Sequence, residues 1–471
     1  MAADRDSLLK LLVPHGQEYL LTFWDRLDTA GRKSLAEQIA EVDFTLIGRL
    51  YAGRGQSATL GELAQRAGPP PAVRLDSGEN RFTGDQARAR GREALRAGHL
   101  GAMLVAGGQG TRLGFNHPKG MYPIGPVSGR TLFQIHVDKL LAVAARHGVR
   151  IPLYVMTSPA THDETVEFLA RHGRFGLPEE DLRVFCQGTM PAVDVQSGRL
   201  LLAAPDRLAT SPNGHGGMLA AFAASGAMED ARRRGIRQLF YFQVDNPLVD
   251  ICGPEYVGHH LLAGAEMTSQ VIAKRHPLDK VGNVVEVDGR LMVIEYSDLP
   301  DEVARRRHAD GSLKIWAGSI AVHVFDLGFL ARIAAEAESL PYHLAQKKVA
   351  YVDAAGRQIE PERANAIKFE RFIFDLMPLA RRAIVVEVDP RWAFAPLKNA
   401  PGAADDTPER VKAQMAAQHR QWLVAAGVEV GDGVPVEIGP RLALDAEELA
   451  RKAPPRMRVT EATYLEERIA N

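Results

Sequence analysis

"LVAGGQGTRLGFNHPKGMYPIG", residues Leu104 to Gly125, decides how this chain is read. An apolar run from Leu100 gives way to Gly107, Gly108 and Gly110, and then to Arg112, Gly114 and Lys119. Glycine inside a helix or strand costs roughly 0.5–1 kcal/mol relative to alanine, so the cluster marks a loop at a strand's end. A loop so poor in side chains lets another molecule approach its backbone N–H groups, and the two cations give that molecule a sign. Arginine offers a planar fork to phosphate oxygens, and lysine a mobile point charge. Two familiar phosphate loops do not fit. A P-loop needs Gly-Lys-Ser/Thr after four spacer residues, whereas Lys119 is followed by Gly120. The dinucleotide pattern G-x-G-x-x-G, started at Gly108, meets Leu113 where its third glycine belongs. What remains is a strand entering a glycine turn. There Gly107, Gly108, Gly110 and Thr111 can line a nucleotide, and Arg112 and Lys119 can offset charge developing at phosphorus during phosphoryl or nucleotidyl transfer, the plainer reading being a tight turn with two surface cations.

The surroundings have the matching texture. Short β-rich runs, "IPLYVMT", "LRVFCQ", "LFYFQVD" and "MTSQVIA", alternate with helical patterns such as Thr131 to His147, which ends at Gly148. Strands alternating with helices predict an α/β fold with a doubly wound, mostly parallel sheet. "VGNVVEVDGRLMVIEYS" predicts a hairpin turning at Asp288-Gly289. Before this lies a helical region, residues 1–95, where Leu35, Ile39, Val42 and Leu46 recur at helical spacing. After "RAIVVEVD" the pattern loosens. The expected organisation is a helical region at 1–95, a catalytic domain at 96–390 and a small domain at 391–471. The basic runs "ARRRGIRQ" and "EVARRRHADG" read as solvated helix ends.

Composition narrows the function further. The 57 basic and 58 acidic residues nearly cancel, so no global field draws nucleic acid or a membrane, and any anion must be held locally. Two distant cysteines, Cys186 and Cys252, read as reduced thiols of a cytoplasmic protein. The opening "MAADRDSLLKLLVPHGQEYLL" lacks the uniform apolar segment of a signal peptide, and no run has the length of a membrane span. There is no C-x-x-C, H-E-x-x-H or G-x-S-x-G, which excludes the common zinc sites and a serine hydrolase elbow.

The glycine stretch resembles the signature of the UDP-sugar pyrophosphorylase family, most closely its UDP-N-acetylhexosamine branch. "TLFQIH", "MPAVD", "PNGHGG", "FQVDNPLV", "PYHLAQKKVAYVD", "IKFERFIFDL" and "FAPLKNA" are similar to that branch in order and spacing, over roughly residues 95–400. The resemblance implies a Rossmann-like, GT-A-like nucleotidyltransferase core. Asp245 ends a strand where a carboxylate can meet a metal-bound nucleotide, and the family places its metal-binding Asp there, with Mg²⁺ as the cofactor. Gly108, Gln187 and Gly214 then contact the uracil. Gly282 and Glu295 match positions that touch the hexose, and Phe372 and Phe374 match aromatics walling the N-acetyl methyl. Lys398 resembles the lysine that approaches the sugar phosphate.

Two departures fall on the sugar side. Where the branch usually reads Asn-Ile-x-Asn-His, this chain has Ser319 through His323, and His215 stands where the branch usually has Asn. The resulting expectation is a uridylyltransferase making UDP-N-acetylhexosamine, UDP-N-acetylglucosamine first, and pyrophosphate from UTP and the sugar 1-phosphate. A UDP-glucose or broad-specificity enzyme is the nearest alternative. A non-catalytic UDP-sugar-binding regulator is the alternative of another class, opposed by the presence of Arg112, Lys119, Asp245 and Lys398 together.

Overall fold

The run before the glycine turn forms a strand, Leu100–Val105, buried at all but its last residue. Its unbroken apolar character, without alternation, is that of a strand covered on both faces. It belongs to a ten-stranded sheet in a computed structural model that describes residues 4–55, 58–75, 77–336, 340–454 and 456–466. In chain order the strands are β1 Ala72–Val73, β2 Leu100–Val105, β3 Leu153–Thr157, β4 Leu182–Cys186 and β5 Gln238–Gln243. They continue as β6 Met267–Ala273, β7 Gly282–Val287, β8 Arg290–Ile294, β9 Ala317–Asp326 and β10 Ala383–Glu387. In space the order is β1-β10-β6-β9-β5-β2-β3-β4, with the β7–β8 hairpin hung on β9. β5, β2, β3 and β4 run parallel, as do β1, β10 and β6. Only β9 runs against both its neighbours in that row. The C-terminal ends of β2, β5 and β6 and the start of β9 therefore share one edge, where ligands of open α/β sheets bind.

Local chemistry sets the expected boundaries. Thr131 caps the helix Leu132–His147 by accepting from the Gln134 N–H, and Gly148 ends it at φ 67°. The hairpin turns at Asp288 (φ 52°) and Gly289 (φ 77°), the left-handed pair a two-residue turn requires. The repeat through Leu35, Ile39, Val42 and Leu46 is not one helix. The first helix stops at Ala40, and Asp43 caps a second, Phe44–Ala52, by accepting from the Leu46 N–H.

The chain divides into two compact units. One comprises residues 1–62, 187–218 and 338–375. In it Leu12, Leu20, Leu35 and Ile39 pack with Val193, Leu200, Leu208, Ile367 and Phe369 in a single core. The buried Gln17 amide joins its segments, donating to the Gly198 carbonyl and accepting from the Leu200 N–H.

The other unit comprises residues 63–186, 219–337 and 376–471 and contains the large sheet. Its final segment is fastened by Glu437, only 3% exposed. That carboxylate accepts from the Val127 N–H at 2.8 Å, the Ser128 N–H at 2.7 Å and the Ser128 hydroxyl at 2.8 Å. The run "ARRRGIRQ" is more than a solvated end. Arg234 is part-buried and bridges Asp230 and Asp181, each at 2.9 Å, because burial of those carboxylates demands a partner.

Two glycines fix a helix crossing inside this unit. Helices Gly84–Arg96 and Pro254–Ala263 approach so closely that a Cβ on Gly91 would overlap the Pro254 carbonyl, and one on Gly258 the Ala87 carbonyl. Alanine normally improves a helix by about 1 kcal/mol over glycine. Here the steric term reverses the sign, and Gly258→Ala should destabilise the protein by about 1–3 kcal/mol. Urea denaturation checks this, and a midpoint that stays or rises contradicts the close crossing.

Candidate active site

Past β2 the Ala106 N–H still bonds to the Met156 carbonyl, and the chain then leaves the sheet. The Gly107 carbonyl accepts from the Ser158 hydroxyl at 2.7 Å. The loop closes on itself, with Gly110 N–H donating to His117 O at 2.9 Å and Lys119 N–H to Gly108 O at 3.0 Å. The glycines differ in purpose. A Cβ on Gly110 would lie 2.7 Å from the Phe115 carbonyl, so its reason is internal packing. One on Gly108 would meet nothing within 4 Å, so that face is open to a ligand. Thr111 and Arg112 form an exposed 3₁₀ turn ending at Gly114 (φ 70°).

β5 delivers Asp245 and Asn246 to the same edge. Asn246, 3% exposed, is a staple that reading the sequence missed. Its amide donates to Ala393 O at 2.8 Å, and its side-chain oxygen accepts from Leu248 N–H at 3.2 Å and Ala395 N–H at 3.1 Å. The Asp245 carbonyl accepts from Leu397 N–H at 2.8 Å. The end of β5 thus carries the segment that presents Lys398. Asp406, also missed, closes the next turn in the left-handed region at φ 57°. Its carbonyl accepts from the N–H groups of Lys398 and Asn399 at 2.9 and 3.1 Å.

Charge converges here. The Lys119 ammonium lies 3.9 Å from the Asp245 carboxylate, with both side chains largely buried. Burial pulls the Lys119 pKa below the ordinary lysine range; Asp245 opposes this, while Lys398 and Arg112 add to it. Burial pushes the Asp406 carboxyl up, Lys398 pulls it back, and Asp405 and Asp245 raise it further. Arg112 is exposed and makes no ion pair among the described residues. Three cations crowded this way are relieved by an anion, which favours phosphate. For a metal the donor set is small. Among the described residues no group of three or more His, Cys, Asp or Glu converges. One or two carboxylates suit a hard cation that completes its shell with substrate phosphates and water.

The sugar candidates of this unit also meet. Gly282 of β7 pairs with Ser319 of β9, and a Cβ on Gly282 would sit 3.3 Å from Glu295 Oε1 and 3.9 Å from Ser319 Cβ. The buried Lys274 ammonium supports them, donating to Asn283 Oδ1 at 2.5 Å and Pro277 O at 3.0 Å. Burial draws its pKa down to about 8.

Gln187, Gly214, Phe372 and Phe374 belong to the other unit. Gln187 is buried and partnered. Gly214 adopts φ 82°, and a Cβ there would overlap the Arg371 carbonyl, so only glycine fits. The ring centroids of Phe372 and Phe374 are 5.0 Å apart. His215 stacks on Phe372 at 5.3 Å, and its Nδ1 accepts from the Ile373 N–H at 3.2 Å. Burial pulls its pKa down to about 4, so the ring is neutral with its proton on Nε2. The histidine that departs from the expected Asn therefore braces the aromatic pair.

A mostly parallel sheet with clustered cations and a carboxylate at the C-terminal edge defines an α/β nucleotidyltransferase. The chain belongs to the UTP–glucose-1-phosphate uridylyltransferase family, whose model matches residues 81–411. It is 36% identical to human UDP-N-acetylhexosamine pyrophosphorylase-like protein 1, over 92% of this chain and 88% of that protein. To the UDP-N-acetylglucosamine pyrophosphorylase of Saccharomyces cerevisiae it is 34% identical, over 94% and 96%. The crystal structure of the uridine diphosphate N-acetylglucosamine pyrophosphorylase from Trypanosoma brucei in complex with inhibitor is similar. Its TM-score is 0.83 at 27% identity, covering 98% of this chain and 99% of that one. Uridylyl transfer is a reaction class that typically uses a divalent cation.

Asn246→Ala should strand the Ala393 carbonyl and Ala395 N–H without partners, at a cost of about 1–3 kcal/mol. Chemical denaturation monitored by circular dichroism measures it, and an unchanged midpoint contradicts the staple.

Proposed function

We propose that the protein joins UTP to an N-acetylhexosamine 1-phosphate, N-acetylglucosamine 1-phosphate first, releasing pyrophosphate. The observation that carries this reading is the convergence of Lys119, Asp245 and Lys398 beside the open face of Gly108. A phosphate oxygen of the sugar 1-phosphate bonds to the α-phosphorus of UTP. The bond from that phosphorus to the oxygen bridging the β-phosphate breaks, and pyrophosphate leaves in line. The attacking oxygen is already ionised, so no protein base is needed, and positioning with charge neutralisation supplies the catalysis.

In this reading Arg112 and Lys119 steady the triphosphate and Lys398 the attacking phosphate. Gly107, Gly108, Gly110, Thr111, Gln187 and Gly214 receive the nucleotide. Asp245 is the side chain that would hold Mg²⁺, which supplies charge neutralisation of the phosphates when bound. Gly282, Glu295 and Ser319 receive the hexose, and Phe372 and Phe374 the acetyl methyl. The partners are then small substrates, with no nucleic acid or membrane involved, in the cytoplasm. Among the described residues no helix is long and apolar enough to cross a membrane.

Ser319 favours a second reading, broader use of UDP-sugars including UDP-glucose. Burying one methyl is worth about 0.8 kcal/mol, whereas the hydrogen bond an Asn would make contributes about 0.5–1.5 kcal/mol. The two terms are comparable, so the preference for the acetylated sugar should be modest.

A panel of sugar 1-phosphates assayed with UTP and Mg²⁺ for pyrophosphate release tests the proposal. N-acetylglucosamine 1-phosphate should lead in kcat/KM, Ser319→Asn should widen its margin, and Phe374→Ala should erode it. A higher kcat/KM for glucose 1-phosphate transfers the assignment to the second reading.

Asp245→Ala should lower kcat by about 100-fold or more, the scale of losing an electrostatic stabiliser, while leaving the fold intact. Near wild-type turnover across Mg²⁺ concentrations removes Asp245 from the metal.

A further inference from the structure

We propose that Lys139 is a positioning residue for Asp245, holding the turn that aims this carboxylate by two of its backbone carbonyls. The inference rests on the role of Asp245 just given. Four carbonyls of the turn after β5 are held by three donors from outside it. Val244 O takes the His136 Nε2–H at 3.0 Å, and Asp245 O takes the Leu397 N–H. Pro247 O and Val249 O both take the Lys139 ammonium, at 2.6 and 3.0 Å. His136 and Lys139 lie three residues apart, on one face of the helix Leu132–His147. That helix is capped at both ends and sunk in the main core through Leu132, Phe133, Ile135 and Leu140, so it is a rigid anchor.

The energetics point the same way. The Lys139 side chain is half-buried, and among the described residues no carboxylate lies within 4.0 Å of its ammonium, the Asp250 carboxylate acting on it from further off. A half-buried cation with no anion in contact is partly desolvated at a cost, and an apolar side chain of the same length would avoid that cost if only packing were at stake. What a methionine could not supply is the pair of N–H donors that fixes the peptide planes on the far side of Asp245. His136 complements this as a neutral donor. Burial holds its pKa at about 3, so it brings no second positive charge against Lys139. With Asn246 gripping the same turn from inside, the peptide that carries the Asp245 carboxylate is held from both sides. Positioning within about 0.5 Å is what a catalytic constellation requires of its supports.

The test compares Lys139→Met, Lys139→Arg and wild type in the full chain. Lys139→Met should lower kcat about 10–100-fold and raise the half-saturating Mg²⁺ concentration several-fold. KM for UTP should stay within about threefold. Lys139→Arg, which keeps the donors, should recover most of kcat and the wild-type Mg²⁺ requirement. Hydrogen exchange read by mass spectrometry should quicken in Lys139→Met for peptides covering residues 244–253, with β2 and β3 unchanged. An unaltered Mg²⁺ requirement in Lys139→Met overturns the proposal, as does equal loss in Met and Arg variants. If Lys139→Met does not fold, Lys139→Gln decides on the same readouts, the Mg²⁺ requirement foremost. Should wild type show no uridylyl transfer, the functional reading falls. The exchange data then judge the positioning separately.

Discussion

The arrangement hangs on one buried amide. Asn246 binds the end of β5 to a segment 147 residues further along the chain, and it does so with both its donor and its acceptor. A strand end is the least constrained part of a sheet, since its last groups have no ladder partners. Here that freedom is removed by side chains. Asn246 holds the turn from within, while His136 and Lys139 hold it from the neighbouring helix. Asp245 and Lys398 are consequently delivered by one framework, and their separation is set before any substrate arrives. In the proposed reaction, such prior fixing is how a site relying on charge neutralisation would gain rate.

The same framework explains why the cations are tolerated. Burial already disfavours the charge on Lys119, and Lys398 and Arg112 disfavour it further. Asp245 and Asp406 offset part of that repulsion, and neither lies close enough to Lys398 to form an ion pair among the described residues. The cluster is thus incompletely compensated. A cavity of about 550 Å³, lined by Lys139, Val249, Trp392, Met415, His419 and Trp422, lies behind this framework rather than in front of it. Its walls include Lys139 but none of Arg112, Lys119, Asp245 and Lys398.

Local patterns carried most of the fold. β6 was readable from its apolar run, and the helix Leu132–His147 from Thr131 and Gly148, because those signals act within a few residues. The glycine turn announced a ligand-facing loop, although Gly110 owes its identity to Phe115. The resemblance singled out Gly282, Glu295 and Ser319 together, and the register of β7 with β9 pairs Gly282 with Ser319. The staples were not readable. Asn246, Asp406 and Lys139 work through partners about 100 residues or more away or through backbone geometry, and a side chain's distant partner leaves no periodicity in the sequence. The helical repeat around Val42 failed for a local reason, since the capping preference of Asp43 outweighed continuity. The packing of the first helices with residues 193–208 and 367–369 is likewise a long-range fact.

Glu437 sets the order in which this molecule can be completed. Its carboxylate satisfies two peptide N–H groups and a hydroxyl of the turn at Val127-Ser128, across 310 and 309 residues of intervening chain. On a ribosome adding about 5–20 residues per second, that turn emerges at least 15 seconds before its acceptor exists. Throughout that interval the nascent sheet can align its parallel strands. It must leave those donors to water, and Asp138 also waits for Arg441. Vectorial synthesis therefore joins an electrostatic latch to the packing of Val436, Ile438 and Leu465 in the last step of assembly, and nascent chains stalled before residue 437 should remain substrates for chaperones.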